Sequence, residues 1–170
     1  WRGWARPIGV QVEYSLAERS ADRELLPMAD ALGLGVAAWS PLGGGLLTGK
    51  YRRGDPGRAT GFGRMVHRED SPARTALLDR LTEIAGEQVA LAWLGARGIV
   101  PVIGPRTLAQ LQDNLGARDV HLSADQLARL GAASAVALGY PHDFLAEPVQ
   151  FDAMAGGDPG RIIWPARPVA

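Results

Sequence analysis

The chain has 170 residues, enough for one domain with a real core. Hydrophobic residues make up 46%, charged residues 21%, and the formal net charge is +0, so nothing in the bulk charge points to nucleic acid or an anionic membrane as a partner. Cysteine is absent, which excludes disulfides, thiolate metal sites and a thiolate nucleophile. His67, His121 and His142 lie far apart and show no metal-ligand spacing. No apolar run reaches the roughly 18 residues of a membrane span and no secretory signal is visible, so a cytoplasmic location is expected. Lys50 is the only lysine among many arginines.

In chain order, residues 1–7 read as the tail of a preceding helix or loop. Residues 8–15 (IGVQVEYS) read as a strand, with Ile8, Val10 and Val12 on one face and Gln11 on the other. Residues 20–33 predict a helix with Ser20 as N-cap and Gly33 as C-cap, starting late because Pro27 is tolerated only near the first turn. GVAAWS (35–40) predicts a second, buried strand stopped by Pro41. A stretch of about 30 residues dense in Gly and Arg follows, long enough to be functional or disordered. Ser71-Pro72 opens a helix with an apolar stripe of Leu77, Leu78, Leu81 and Ile84. Gly86 breaks or bends it, and helix continues to Gly98. IVPVIG (99–104) predicts a third strand, TLAQLQDNLG and SADQLARLGAAS two further helices, and the tail from Leu138 coil. Strands alternating with helices imply parallel strands and right-handed crossovers, and three strands alone look like part of a larger sheet or barrel.

In such folds ligands lie at the carboxyl ends of the strands. The three ends are Glu13-Tyr14-Ser15, Trp39-Ser40-Pro41-Leu42-Gly43-Gly44, and Gly104-Pro105-Arg106-Thr107. At the third, Thr107 and Gln110 form a T-x-x-Q capping box that starts the helix at Leu108, and its dipole and free N–H groups favour an anion. Arg106 adds a fork suited to phosphate. Gln110 and Asn114 share one helix face with Asp113 beside them, while Leu108, Leu111 and Leu115 are expected on the buried face. Such a corner suits a nucleotide, and equally a capped helix with an exposed arginine. SPLGGGLLTGK is open in the same way: its glycines and Lys50 suit a pyrophosphate or a plain flexible loop, and Tyr51 after Lys50 rules out a Walker A motif. Trp39 is read as core or as a cofactor platform. Gln11 on a strand needs a partner, either a ligand amide or backbone. Glu13 and Tyr14 show no local partner for acid–base work, the histidines have bland readings, and Ser123 with Gln126 is a second capping box.

QVEYSLAERSADRELLPMADALGLGVAAWSPLGGGLLTGKY and VPVIGPRTLAQLQDNLGA together resemble the C-terminal half of an aldo-keto reductase, from about Ile8 to the PHDFL tail. That resemblance implies an α/β fold: about three β/α units, the sixth to eighth, of a (β/α)8 TIM barrel that is incomplete as an isolated chain. Residues 1–170 would then be a single partial barrel domain, with β/α units over 8–137 and a tail over 138–170. It further implies that the cofactor is NADP(H). Gln11 would hold the nicotinamide carboxamide and Trp39 stack on its ring. Ser40, Pro41, Leu42, Gly43, Gly44 and Lys50 would hold the pyrophosphate. Gly104 and Arg106 would line the 2′-phosphate and ribose, and Gln110, Asp113 and Asn114 the adenosine. In that family hydride passes from NADPH to an aldehyde or ketone, with a tyrosine as proton donor tuned by lysine, aspartate and histidine. Those four lie on earlier strands and are not matched here, so no catalytic residue is assigned and the isolated chain is expected to be inactive.

The implied partners are a small carbonyl substrate and either the missing N-terminal half or a second copy meeting exposed edges, with neither nucleic acid nor membrane. A non-catalytic NADP(H)-binding regulatory module and an unrelated α/β domain are the alternatives. Two departures from the family stand out. Pro105 replaces a frequent alanine and removes one N–H donor, and the connection between Gly86 and Gln88 is shorter than usual.

Overall fold

The computed structural model describes residues 3–54, 67–84, 87–161 and 163. Three short parallel strands form its sheet, β1 (Gly9–Glu13), β2 (Gly35–Trp39) and β3 (Ile99–Pro101), in the order β1-β2-β3. Register pairs Val10 with Val36 and Val36 with Ile99, then Gln11 with Ala37 and Ala37 with Val100, then Glu13 with Trp39. Because side chains alternate across a strand, Val10, Val12, Val36, Ala38 and Ile99 share one face and Gln11, Glu13, Ala37, Trp39 and Val100 the other.

The first face carries the core. Helix α1 (Leu25–Ala31) packs on β2, and α3 (Glu87–Ala96) packs on β3 and on α2 (Pro72–Ile84). Helix α5 (Ala124–Ala133) packs on α2, and α4 (Leu108–Gly116) on α3. Leu77, Leu78 and Leu81 of α2 meet Val89, Trp93 and Leu94 of α3 and Leu130 of α5 in one cluster with Val12, Ala38 and Ile99. Full burial of a Leu, Val or Phe-sized side chain stabilises by about 1.5–3 kcal/mol, so this face supplies most of the folding energy. The predicted stripe on α2 is therefore present, and Ile84 packs at its margin.

The other face is uncovered among the described residues. Val100 is 64% exposed and Trp39 41%, so GVAAWS is half a buried strand rather than a wholly buried one. Leu108 and Leu115 are also exposed, against the expectation that they face the core. Only Leu111 of that trio is partly covered, because α4 leans on α3 through a different flank.

Two local features, at Ser20 and in the tail, differ from the sequence reading, while the expected stop at Gly33 is present. Ser20 does not cap a long helix: Ser20–Asp22 is a single 3-10 turn and α1 starts at Leu25, which puts Pro27 in the first turn where its missing N–H does no harm. Gly33 takes φ +64 just after α1, the left-handed stop that glycine favours. The tail is not coil throughout, since α6 (His142–Ala146) and α7 (Pro148–Met154) pack on each other. The expected break at Gly86 and the tail aromatic Trp164 lie outside the described residues.

Behind β1 a buried polar cluster ties four elements together. The Tyr14 hydroxyl donates to Asp22 Oδ1 at 2.7 Å, and Arg19 and Arg97 both bond the same carboxylate. Arg19 also donates to Ser134 Oγ at 2.6 Å, and both guanidiniums lie over the stacked rings of Tyr14 and Trp93. Burial, with help from the bond to Asp22, pushes the Tyr14 hydroxyl well above its ordinary value, outweighing the two nearby cations.

Candidate cofactor-binding site

The uncovered face and the strand ends hold the residues singled out from the sequence. Gln11 and Trp39 project from this face on neighbouring strands, two residues apart in register. Gln11 is exposed, and among the described residues its amide makes no hydrogen bond. Being exposed, the amide is open to water, so the need for a partner that a buried Gln11 would have does not arise. Trp39 presents an open ring and is not core.

After Trp39 the chain makes a tight corner. Ser40 adopts φ 52, a left-handed conformation that a non-glycine residue takes at a cost of about 1–3 kcal/mol and that clusters at functional sites. Gly43, Gly44 and Gly45 follow with φ of 57, 66 and 100, values that only glycine adopts freely. The Gly43 N–H returns to Ser40 O at 2.8 Å and the Gly45 N–H to Leu42 O at 2.9 Å. Lys50 and Tyr51 fold back over this corner. A β-carbon on Gly45 would stand 2.6 Å from Lys50 Cε and 2.9 Å from Nζ, and the Tyr51 hydroxyl donates to Gly44 O at 2.7 Å. Two residues on, Arg52 bonds Glu69 and Asp79, holding the Glu69 carboxyl below its ordinary range. The single lysine is thus brought to the glycine corner by a short 3-10 segment, Lys50–Arg53.

The neighbouring corner follows β3. The Val102 N–H donates to Ala38 O at 2.8 Å, so the strand pairing runs on toward Gly104 and sets the Arg106 turn beside the end of β2. Thr107 Oγ1 accepts from the Gln110 N–H at 3.2 Å, the expected cap. The reciprocal arm differs from the expected box: Gln110 Oε1 accepts from the Arg106 N–H at 2.8 Å rather than from Thr107. Arg106 is exposed and its guanidinium makes no ion pair among the described residues. Asn114 is half-buried beside Gln110. Asp113 is held elsewhere, accepting from Gln88 Nε2 of α3 at 2.9 Å.

At the free edge of β1 lies a cavity of about 710 Å3, between Gln11 and Glu13 on one side and Arg23, Tyr140 and His142 on the other. Its size suits a small organic molecule. It opens next to Gln11, whereas the glycine corner and the Arg106 turn follow β2 and β3.

Sequence reasoning missed two contacts here. Glu13 has a partner after all: His67 Nε2 lies 3.1 Å from Glu13 Oε1. Tyr14, read as free of partners, is committed to Asp22. Burial alone would raise the Glu18 carboxyl, but hydrogen bonds from Ser20 and the nearby Arg74 guanidinium outweigh it and hold it below its ordinary range. His121 and His142 keep bland roles, against the carbonyl oxygens of Asp119 and Arg23.

A parallel sheet with helices on one face, ligand-type corners at its carboxyl ends and an open inner face defines part of a (β/α)8 barrel. Residues 2–135 match the Aldo/keto reductase family, and the chain belongs to that family. It is 41% identical over 129 residues to an uncharacterized oxidoreductase, YrpG, of Bacillus subtilis (strain 168), covering 71% of this chain and 38% of that protein. It is 34% identical over 131 residues to the chloroplastic pyridoxal reductase of Arabidopsis thaliana, covering 73% of this chain and 35% of that protein. Its fold also matches the solved structure of a thermostable aldo-keto reductase, Tm1743, in complex with the inhibitor epalrestat. That match has a TM-score of 0.50 and 24% identity, over 72% of this chain and 38% of that one. The chain thus spans well under half the length of these relatives.

Proposed function

We propose that this chain carries the NADP(H) site of an aldo-keto reductase and serves a reaction in which hydride passes between that cofactor and an aldehyde or ketone. The observation that carries the reading is the pairing of an exposed Gln11 amide with an open Trp39 ring, on one sheet face, beside two cationic strand-end corners. These residues fit the cofactor. A primary amide reads a carboxamide, a half-exposed indole offers a stacking face, and Lys50 and Arg106 meet two separate anionic groups. When bound, NADPH supplies the hydride.

Gln11 would fix the orientation of the nicotinamide and Trp39 its plane. Gly43 and Gly44 let backbone approach the pyrophosphate with Lys50 as counter-charge, and Arg106 at the Thr107-capped start of α4 takes the 2′-phosphate. Gln110 and Asn114 would flank the adenosine, while Asp113 acts through its bond to α3 rather than through the nucleotide. The carbonyl substrate would enter the cavity beside Gln11, with the tail as its outer wall. Tyr14 is not the proton donor, because its buried hydroxyl is spent on Asp22 and resists ionisation. That same commitment favours, as second reading, a non-catalytic NADP(H)-binding module.

The uncovered sheet face would be closed by further barrel strands or by a second copy. The β/α body would span residues 8–137 and the tail 138–170.

Titration with NADPH followed by tryptophan fluorescence tests the site. Quenching that is largely lost in Trp39→Phe, with unchanged thermal unfolding, supports it. The same quenching in wild type and variant, or no binding, refutes it. Measurable carbonyl reduction would decide for the enzyme over the module.

A further inference from the structure

We propose that His67 is a positioning residue for the pyrophosphate corner, held in a single neutral tautomer by Glu13 and Arg74. The proposal rests on the reading of Ser40 to Gly44 as that corner. His67 belongs to the far end of the glycine- and arginine-rich stretch, yet it lies against the corner itself. A β-carbon on Gly43 would stand 3.6 Å from His67 Cδ2 and 3.4 Å from Ala17 Cβ. Two polar arms fix the imidazole in that place. Its Nε2 lies 3.1 Å from Glu13 Oε1, and Arg74 Nη2 lies 3.3 Å from its Nδ1.

The chemistry of these partners decides the protonation pattern. A guanidinium can only donate, so Nδ1 accepts; the carboxylate of Glu13 accepts, so Nε2 carries the proton. The result is a chain from carboxylate to imidazole to guanidinium, running from β1 to α2. Arg74 is itself anchored, donating to Asp70 Oδ1 at 2.7 Å and to the Arg68 carbonyl. Glu18 completes the charged surroundings, its carboxyl held low by hydrogen bonds from Ser20 and by the Arg74 guanidinium. Glu13 stands in register with Trp39, so one arm of the chain begins at the level of the proposed nicotinamide platform and its imidazole ends on Gly43. His67 thereby couples the strand end, the glycine corner and α2.

The test combines cofactor-free and cofactor-dependent readouts on the full chain. Imidazole 15N NMR of the wild type should show a protonated Nε2 and an unprotonated Nδ1 for His67, and the double substitution Glu13→Leu with Arg74→Leu should let the other tautomer appear. A mixed or Nδ1–H tautomer in the wild type overturns the proposal. Amide hydrogen exchange at Gly43, Gly45 and Leu47 should speed about tenfold in His67→Leu, the scale expected for losing a hydrogen bond to a charged group, and return to within about threefold of wild type in His67→Gln. The glutamine amide can donate to Glu13 and accept from Arg74, so rescue separates positioning from mere space filling. NADPH affinity should follow the same order. Unchanged exchange in His67→Leu, or no rescue by His67→Gln, overturns the proposal. Failure of the wild type to bind NADPH would instead sink the cofactor reading, with the exchange and tautomer results still deciding the role of His67.

Discussion

The two faces of the sheet come from the same three short strands and obey different rules. On the helix-covered face Val12, Ala38 and Ile99 lie under Trp93, Leu94 and Leu130, and polar groups there are fully partnered through Asp22. On the open face a tryptophan, an amide and apolar side chains meet solvent. Stability is concentrated on the first and the proposed recognition groups on the second. Exposed apolar area such as Val100 also marks the second as a surface that something else must cover.

The sharpest way to break this comparison is to remove a tryptophan from each side. Trp93→Ala should cost about 3–5 kcal/mol in urea unfolding, since it empties a fully buried site and strips the ring from two guanidiniums. Trp39→Ala should cost under about 1 kcal/mol while weakening NADPH binding. Similar stability losses for both would erase the distinction between the faces. Asp22→Ala belongs to the same class as Trp93→Ala: it leaves the 8%-exposed Arg19 without its carboxylate and should destabilise by about 3–5 kcal/mol. A change within about 0.5 kcal/mol would show that the buried cluster contributes little.

A smaller effect appears with pH. Tyr14 holds its proton in the folded state well above the value near 10 at which an unfolded tyrosine loses it. The unfolded chain therefore binds fewer protons than the folded one above about pH 10, and stability falls there as pH rises, by at most about 1.4 kcal/mol per pH unit for this one group. Below that pH its contribution is constant. In Tyr14→Phe this share of the alkaline loss should vanish, so the stability gap between wild type and variant should narrow as pH rises above 10. A gap that stays constant would mean the hydroxyl titrates alike in both states.

How much of this was legible in the sequence follows from how local each feature is. Strand cores and the α2 stripe are written as alternation and helical spacing, and both survive. The Thr107 and Ser123 caps need only neighbours three residues on, and both form. Gln11, Trp39, Ser40 to Gly44, Lys50 and Arg106 were visible as residue types on strands and at their ends; the fold sets Gln11 and Trp39 on one face and Lys50 against Gly45, with Pro41 and Gly43 buried in the corner. What escaped depends on distant partners. Glu13 meets His67 across 54 residues, Asp113 meets Gln88 across 25, and Arg19 meets Ser134 across 115. The exposure of Leu108 and Leu115 escaped for a related reason: a helix's apolar stripe says that a face is to be covered, not that this stretch of chain covers it. The tail helices are five and seven residues long, too short for periodicity to show through Pro and Gly.

The central claim is that the open face with its two strand-end corners binds NADP(H), with Arg106 on the 2′-phosphate. Affinities for NADPH and NADH, measured side by side in wild type and Arg106→Ala, address it most directly. A lost charge-assisted bond of about 1.5–3 kcal/mol corresponds to a drop of about 10–100-fold in NADPH affinity, with NADH binding nearly unchanged and the preference between them gone. An Arg106→Ala protein that still favours NADPH over NADH as strongly as the wild type would contradict the account.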